Sequence, residues 1–193
     1  MLNMRWIATL GLILGSTALL SAKPPVPRPT PEFTVTMPSG AMVPLTSYRG
    51  KVVLLQFLYT TCPHCQVTAQ FFTKLQQEMG PRGLQVVGIA FNEEAEGHPE
   101  VVRNFVEQFN LGFPIGLAPR DKVLNYLGIS IMERFAVPQI VVIDRNGQIR
   151  LQSDVLGGGE NIDELHLGPF IDGLLKETKR PGTVHKPLPT GTK

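Results

Sequence analysis

Cys62 and Cys65 are the only cysteines of this 193-residue chain, and the stretch FLYTTCPHCQ places Pro63 and His64 between them. Such a pair can serve as a staple, a metal clip, half of a haem attachment site or a couple that opens and closes. A bridge across so short a loop removes little chain entropy, which argues against a staple. Covalent c-type haem needs a histidine directly after the second cysteine, and Gln66 stands there. A structural zinc site needs four ligands, and His98, His166 and His185 have no supporting spacing. An inert buried pair, a redox pair and a soft-ion site such as Cu(I) on Cys62, His64 and Cys65 remain.

The position of the pair decides what it can do. Apolar residues Phe71, Phe72, Leu75 and Met79, with Val67, recur at helical spacing after the motif, and Gly80-Pro81 stops the run. The spacing predicts a helix with Cys62 at its N-cap and Pro63 as its first residue, where a missing N–H costs nothing. The free N–H groups of His64 and Cys65 then point at the Cys62 sulfur, and the positive end of the helix dipole favours a thiolate there. A protonated His64 adds to this. Thiols in such CxxC motifs titrate between about 3.5 and 7.5, against about 8.5 for a free thiol. Cys62 is therefore the expected nucleophile and Cys65, one turn further in, the resolving thiol. Each unit of depression is about 1.4 kcal/mol of thiolate stabilisation, or roughly 30 mV toward an oxidant. Gln56, six residues before Cys62, is expected to point at the motif. A carboxylate there would take the proton of the buried thiol, which an amide does not do.

The surrounding elements read as follows. Pro31–Leu45 contains a short hairpin turning at Pro38–Gly40, with Phe33 and Val35 on one side. Val52–Leu58 and Leu84–Phe91 are nearly continuous apolar runs, as in strands buried on both faces. Helices are expected over Pro99–Phe109, Arg120–Leu127 and Asn161–Lys176, the last with Ile162, Leu165, Leu167, Phe170, Ile171, Leu174 and Leu175 inward and His166 on the surface. Phe113–Leu117 is a short strand, and Gln139–Asp144 turns through Asn146-Gly147 into QIRLQ. The alternation predicts a three-layer α/β domain with a mixed sheet, its working residues at strand C-termini. CPHC falls at such an end.

Composition sets the limits. A chain this long and 42% hydrophobic supports one well-buried core, and a net charge of +2 from 18 basic and 16 acidic residues gives no nucleic-acid footprint. Arg5 followed by the apolar run Trp6–Leu20 has the layout of a secretory signal, so residues 1–22 are read as a signal peptide or membrane anchor. That implies a periplasm or other extracytoplasmic, oxidising compartment. Residues 23–31, KPPVPRPTP, are expected to be a polyproline linker, 32–176 the domain and 177–193 a disordered tail. Glu93, Glu94 and Glu96 read as a solvated loop, and Gly157-Gly158-Gly159 as a flexible turn.

Residues 32–176 resemble the thioredoxin superfamily, in particular the secreted TlpA/ResA-like thiol-disulfide oxidoreductases. The matching segments are PEFTV, then LTSYRGKVVLLQFLYTTCPHC, and AVPQIVVIDRNGQI. The resemblance implies a thioredoxin-like fold with a central mixed sheet, an N-terminal β-hairpin and a βα insertion. It implies that Pro138 is a cis proline facing the sulfurs, that the Val137 backbone pairs with an extended substrate, and that Pro63 also meets the substrate. It further implies cysteine-containing protein substrates, a redox partner protein and no cofactor. Thr61 departs from the family's usual tryptophan and Gln56 from thioredoxin's buried acid, while Pro63-His64 resembles the Dsb oxidases; Glu93 resembles a glutamate of the haem-maturation members. A peroxidase of the PxxxTxxC type is not expected, because the motif's proline and threonine are missing ahead of Cys62.

Overall fold

A computed structural model describes residues 24–159 and 162–177. Eight strands form one sheet in the order β1-β8-β7-β4-β5-β6-β2-β3. They are β1 Arg28–Pro29, β2 Thr34–Thr36, β3 Met42–Pro44, β4 Val52–Leu58, β5 Leu84–Ala90, β6 Ile115–Leu117, β7 Gln139–Ile143 and β8 Gln148–Gln152. The helices are α1 Pro63–Met79, α2 Pro99–Gln108, α3 Arg120–Leu127 and α4 Glu164–Lys176. β4, β5 and β6 run parallel, β7 returns antiparallel beside β4, and β8 pairs antiparallel with β7. The sheet is therefore mixed, as expected, and the expected hairpin β2–β3 joins it through Thr36 opposite Leu117.

β4 is the reason the site is where it is. All seven of its residues are buried, because helices cover both faces and every side chain meets one of them. Val52, Leu54 and Leu58 share a core with Cys65, Phe72, Leu167 and Ile171 on the side of α1 and α4. Val53, Leu55 and Phe57 pack against Phe33, Val123, Tyr126 and Leu127 on the side of α3. The strand period of two thus puts Gln56 on the α1 side, in line with Leu54 and Leu58.

The structure differs from the sequence reading in three places. The proline-rich segment is part of the domain: Arg28 and Pro29 pair with Ile149 and Gln148, Arg28 Nη2 donates to Gln152 Oε1 at 2.7 Å, and the Thr30 and Tyr126 hydroxyls are 2.9 Å apart. Extended backbone suits an exposed sheet edge, where proline's missing N–H faces outward. Val67 and Leu165, assigned to apolar helix faces, are 59% and 81% exposed; α1 instead buries Cys65, Ala69, Phe72, Thr73 and Leu75, one face of the helix, and Val67 lies on the opposite one. The proposed tail begins later than read, since Glu177 pairs with Arg150 at 2.9 Å. The signal at 1–22 and the tail from 178 lie outside the described residues. Among the described residues no helix is long and apolar enough to cross a membrane.

Gly116 sets how closely the hairpin joins the sheet. A Cβ there would overlap Val35 and lie 2.7 Å from the Thr36 carbonyl oxygen, a backbone atom that cannot swing aside. Gly116→Ala is expected to destabilise the domain by about 1–3 kcal/mol, read as a lower urea midpoint at unchanged m-value.

Candidate functional site

β4 ends at Leu58 and α1 begins at Pro63, so the chain reverses within a few residues and leaves CPHC at the C-terminal edge of the parallel strands. Cys62 is the N-cap, with extended backbone, and its sulfur accepts the Cys65 N–H at 3.3 Å. Pro63 occupies the first turn, where its ring is compatible with the helix and no N–H is lost. Cys62 is half-buried, Pro63 and His64 are exposed and Cys65 is fully buried; both cysteines are free thiols.

The segment before β7 reaches the same sulfur. The Val137–Pro138 peptide is cis, and the Val137 carbonyl accepts the Cys62 S–H at 3.7 Å. Cys62 therefore sits between a backbone donor from α1 and a backbone acceptor from the proline loop. Of the residues singled out in the sequence, Cys62, Cys65 and Val137 are in contact, Pro138 adjoins them, and Pro63 and His64 form the exposed rim.

Burial, and then the hydrogen bond with the Cys62 thiol, push the Cys65 thiol well above the range of a free thiol. Gln56 lies directly beneath. Its Nε2 donates to the Cys65 carbonyl at 2.9 Å, while its Oε1 is buried without a hydrogen-bond partner among the described residues. It holds the first turn of α1 against β4 and carries no charge.

Sequence reasoning missed the clamp on the other side of the motif. The Thr60 N–H donates to Asn92 Oδ1 at 3.2 Å, and Asn92 Nδ2 donates to Thr60 Oγ1 at 3.1 Å. Gln66 Nε2 donates to the Thr60 carbonyl at 3.0 Å. Thr60 and Asn92 are both buried, so each of these groups would be costly to leave unpaired. Asn92 Nδ2 also donates to Glu94 Oε2 at 2.9 Å, and that bond holds the exposed Glu94 carboxyl below its ordinary range. Glu93 and Glu96 are exposed beside it, as the loop reading requires. The available signal was Asn92 at the end of an apolar strand, a position where a polar side chain needs a partner.

Below these loops the rings of Tyr59 and Phe91 lie 4.7 Å apart, Phe91 and Phe135 stack at 6.1 Å, and Arg120 sits 5.2 Å above Phe135. This row ties the CPHC turn to the proline loop. A cavity of about 270 Å³ lies between the hairpin turn at Met37–Gly40, Glu96–Pro99 and Leu117–Pro119, and none of the candidate residues lines it. Among the described residues no three His, Cys, Asp or Glu side chains gather to hold a metal ion. The copper reading lacks support for the same reason, because His64 points to solvent from the helix rim while Cys65 is buried.

The comparisons agree with this geometry. The family described as AhpC/TSA matches residues 26–152. A thiol-disulfide oxidoreductase ResA of Geobacillus thermodenitrificans is 31% identical over 121 residues, covering 62% of this chain and 64% of that protein. Its namesake in Geobacillus kaustophilus is 30% identical over 121 residues, with the same 62% and 64% coverage. The chain thus spans less than two thirds of the length of these curated relatives. The crystal structure of a thioredoxin-family thiol:disulfide interchange protein from Chlorobium tepidum superposes with a TM-score of 0.62 at 23% identity, covering 77% of this chain and 97% of that one. That likeness establishes the thioredoxin-like fold.

Burial of Cys65 has a direct consequence for reactivity. In the reduced protein at pH 7, iodoacetamide is expected to label Cys62 and leave Cys65 unmodified, read by peptide mass. In Cys62→Ser, Cys65 labelling is expected to stay slow through pH 9, where a free thiol with a pKa of about 8.5 is mostly thiolate, because burial keeps its proton on. Rapid labelling there would contradict the raised value.

Proposed function

The chain belongs to the AhpC/TSA family, and from that membership and the meeting of Cys62, Cys65 and Val137 we propose that it is an extracytoplasmic thiol-disulfide oxidoreductase acting on cysteine-containing proteins. The observation that carries the reading is the pairing of an accessible sulfur at a helix N-cap with a buried one a single turn inward. The relatives' names support it, and the apolar run Trp6–Leu20 supports the compartment.

In the reducing direction Cys62, as thiolate, attacks one sulfur of a substrate disulfide. The substrate S–S bond breaks, the Cys62–substrate bond forms, and the departing substrate sulfur takes a proton. Cys65 then gives up its proton and attacks Cys62, releasing the second substrate thiol and closing the Cys62–Cys65 disulfide. The substrate gains two electrons and the protein loses them; a redox partner protein restores them. The oxidising direction is the same sequence reversed.

Each placed group has a part. The Cys65 N–H stabilises negative charge on Cys62 whenever that sulfur attacks or departs. The Val137 backbone offers an edge for an extended substrate beside the reacting sulfur, with Pro63 and Pro138 bounding the approach and His64 on the rim as a tuning residue. Because burial makes Cys65 hold its proton, losing that proton is part of the resolving step. No peroxidase step is assigned: counting back from Cys62, the PxxxTxxC positions hold Leu55 and Tyr59.

Insulin reduction by dithiothreitol provides the test. The protein is expected to accelerate it, Cys62→Ser to remove the acceleration, and Cys65→Ser, reduced and mixed with insulin in the absence of dithiothreitol, to accumulate a mixed disulfide that adding the reductant releases. Chelators are expected to change nothing. Tight Cu(I) binding without measurable thiol exchange would falsify the oxidoreductase reading and restore the copper one.

A further inference from the structure

Gln139 follows the cis proline directly and opens β7, and its side chain is fully buried. Its Nε2 donates to three carbonyls, those of Ala136 at 2.8 Å, Asp154 at 3.0 Å and Val155 at 3.3 Å. Its Oε1 accepts the Ser153 hydroxyl at 2.7 Å, and Ser153 Oγ accepts the Ile140 N–H at 3.0 Å. One backbone bond runs the same way, from Ala136 N–H to the Val155 carbonyl at 2.8 Å. Gln139 therefore fastens the loop that leads into Pro138 to the loop that leaves β8.

Both loops carry exposed apolar side chains. The first carries Ile131 and Met132, 70% and 89% exposed, and the second carries Leu156, 70% exposed. The first loop ends at Val137, whose carbonyl touches the Cys62 sulfur, and the second passes close by, since a Cβ on Gly157 would lie 3.2 Å from the Pro138 carbonyl oxygen. Leu156 is itself fixed, since Asp154 Oδ1 accepts both the Leu156 and the Gly158 N–H at 2.9 and 3.0 Å. A peptide lying along Val137 would meet the Leu156 loop only at the spacing that the Gln139 amide sets. A small disulfide reaching Cys62 has no flanking chain to span that distance.

Resting on the oxidoreductase reading above, we infer that Gln139 is a positioning residue that sets the distance between the Val137 edge and the Leu156 loop, and that this spacing selects cysteine-bearing protein segments with apolar flanks. It touches no reacting atom. A glutamine serves where threonine, serine or an apolar residue does not, because a single side chain must give two N–H donors to one loop pair and take a hydroxyl from the strand beside it. The contacts are short and enclosed, so the amide orientation follows from its partners: three carbonyls require the nitrogen on one side and a hydroxyl with its hydrogen the oxygen on the other.

The test compares two substrates in the full protein: insulin, and the small disulfide of 2-hydroxyethanethiol. Gln139→Leu, which keeps the bulk and removes the hydrogen bonds, is expected to raise KM for insulin at least fivefold. The expected change in kcat, and in the exchange rate with the small disulfide, is less than twofold. Ser153→Ala, which frees one end of the amide, should move KM the same way by a smaller factor. Hydrogen exchange at the Ala136 amide should quicken in both. An unchanged insulin KM in a folded Gln139→Leu overturns the positioning role alone. So does an equal loss on both substrates in a variant whose circular dichroism and thermal midpoint match the parent, since that places the effect at the sulfurs. If the parent protein exchanges with neither disulfide, the oxidoreductase reading falls first and this inference with it.

Discussion

The bond on which the site depends joins the Cys65 N–H to the Cys62 sulfur across the first turn of α1. It exists because β4 ends just before a residue that can cap a helix and a proline that can begin one. The geometry makes two chemically identical side chains unequal. One sulfur is reachable and faces a backbone donor, while the other is sealed beneath Leu54, Leu58 and Phe72 in the core. Without that inequality the pair would have no fixed order of attack.

The supports around the pair share a chemical character. Gln56 holds the Cys65 carbonyl, Gln66 and Asn92 hold Thr60, and Gln139 holds the proline loop. All are amides. Amides give and accept hydrogen bonds without bringing a charge into a low-dielectric site, so they fix backbone positions while leaving the electrostatics of the sulfurs to the helix and to burial. The nearest carboxylate in this network, Glu94, is separated from Thr60 by the Asn92 side chain and lies in solvent. Among the described residues this hydrogen-bonded network brings no carboxylate to Cys65.

The sequence revealed the frame because the frame is local. Val52–Leu58 is apolar without interruption apart from Gln56, which marks a strand covered on both faces; the cap and first turn of α1 follow from Cys62 and Pro63; Asn146-Gly147 marks the β7–β8 turn. The clamps were hidden because their partners are distant in the chain. Thr60 and Asn92 are 32 positions apart, and Gln139 and Ser153 are 14, so only the register of the sheet shows that they meet. Arg28 and Pro29 misled for a different reason, since a proline-rich composition predicts extended backbone but not whether a sheet edge is free to receive it. Val67 and Leu165 are spaced four or so residues from other apolar positions yet fall on the solvent side of their helices, where a single apolar side chain is tolerated.

The central claim is that the two sulfurs trade a covalent bond reversibly, and equilibration in glutathione buffers of graded potential followed by intact mass and peptide mapping tests it most directly. The account predicts a single two-electron transition in which the protein loses a pair of hydrogens and yields a Cys62–Cys65 linked peptide, with no lasting glutathione adduct. A Cys62–glutathione adduct that persists across the range while Cys65 stays a free thiol would contradict it.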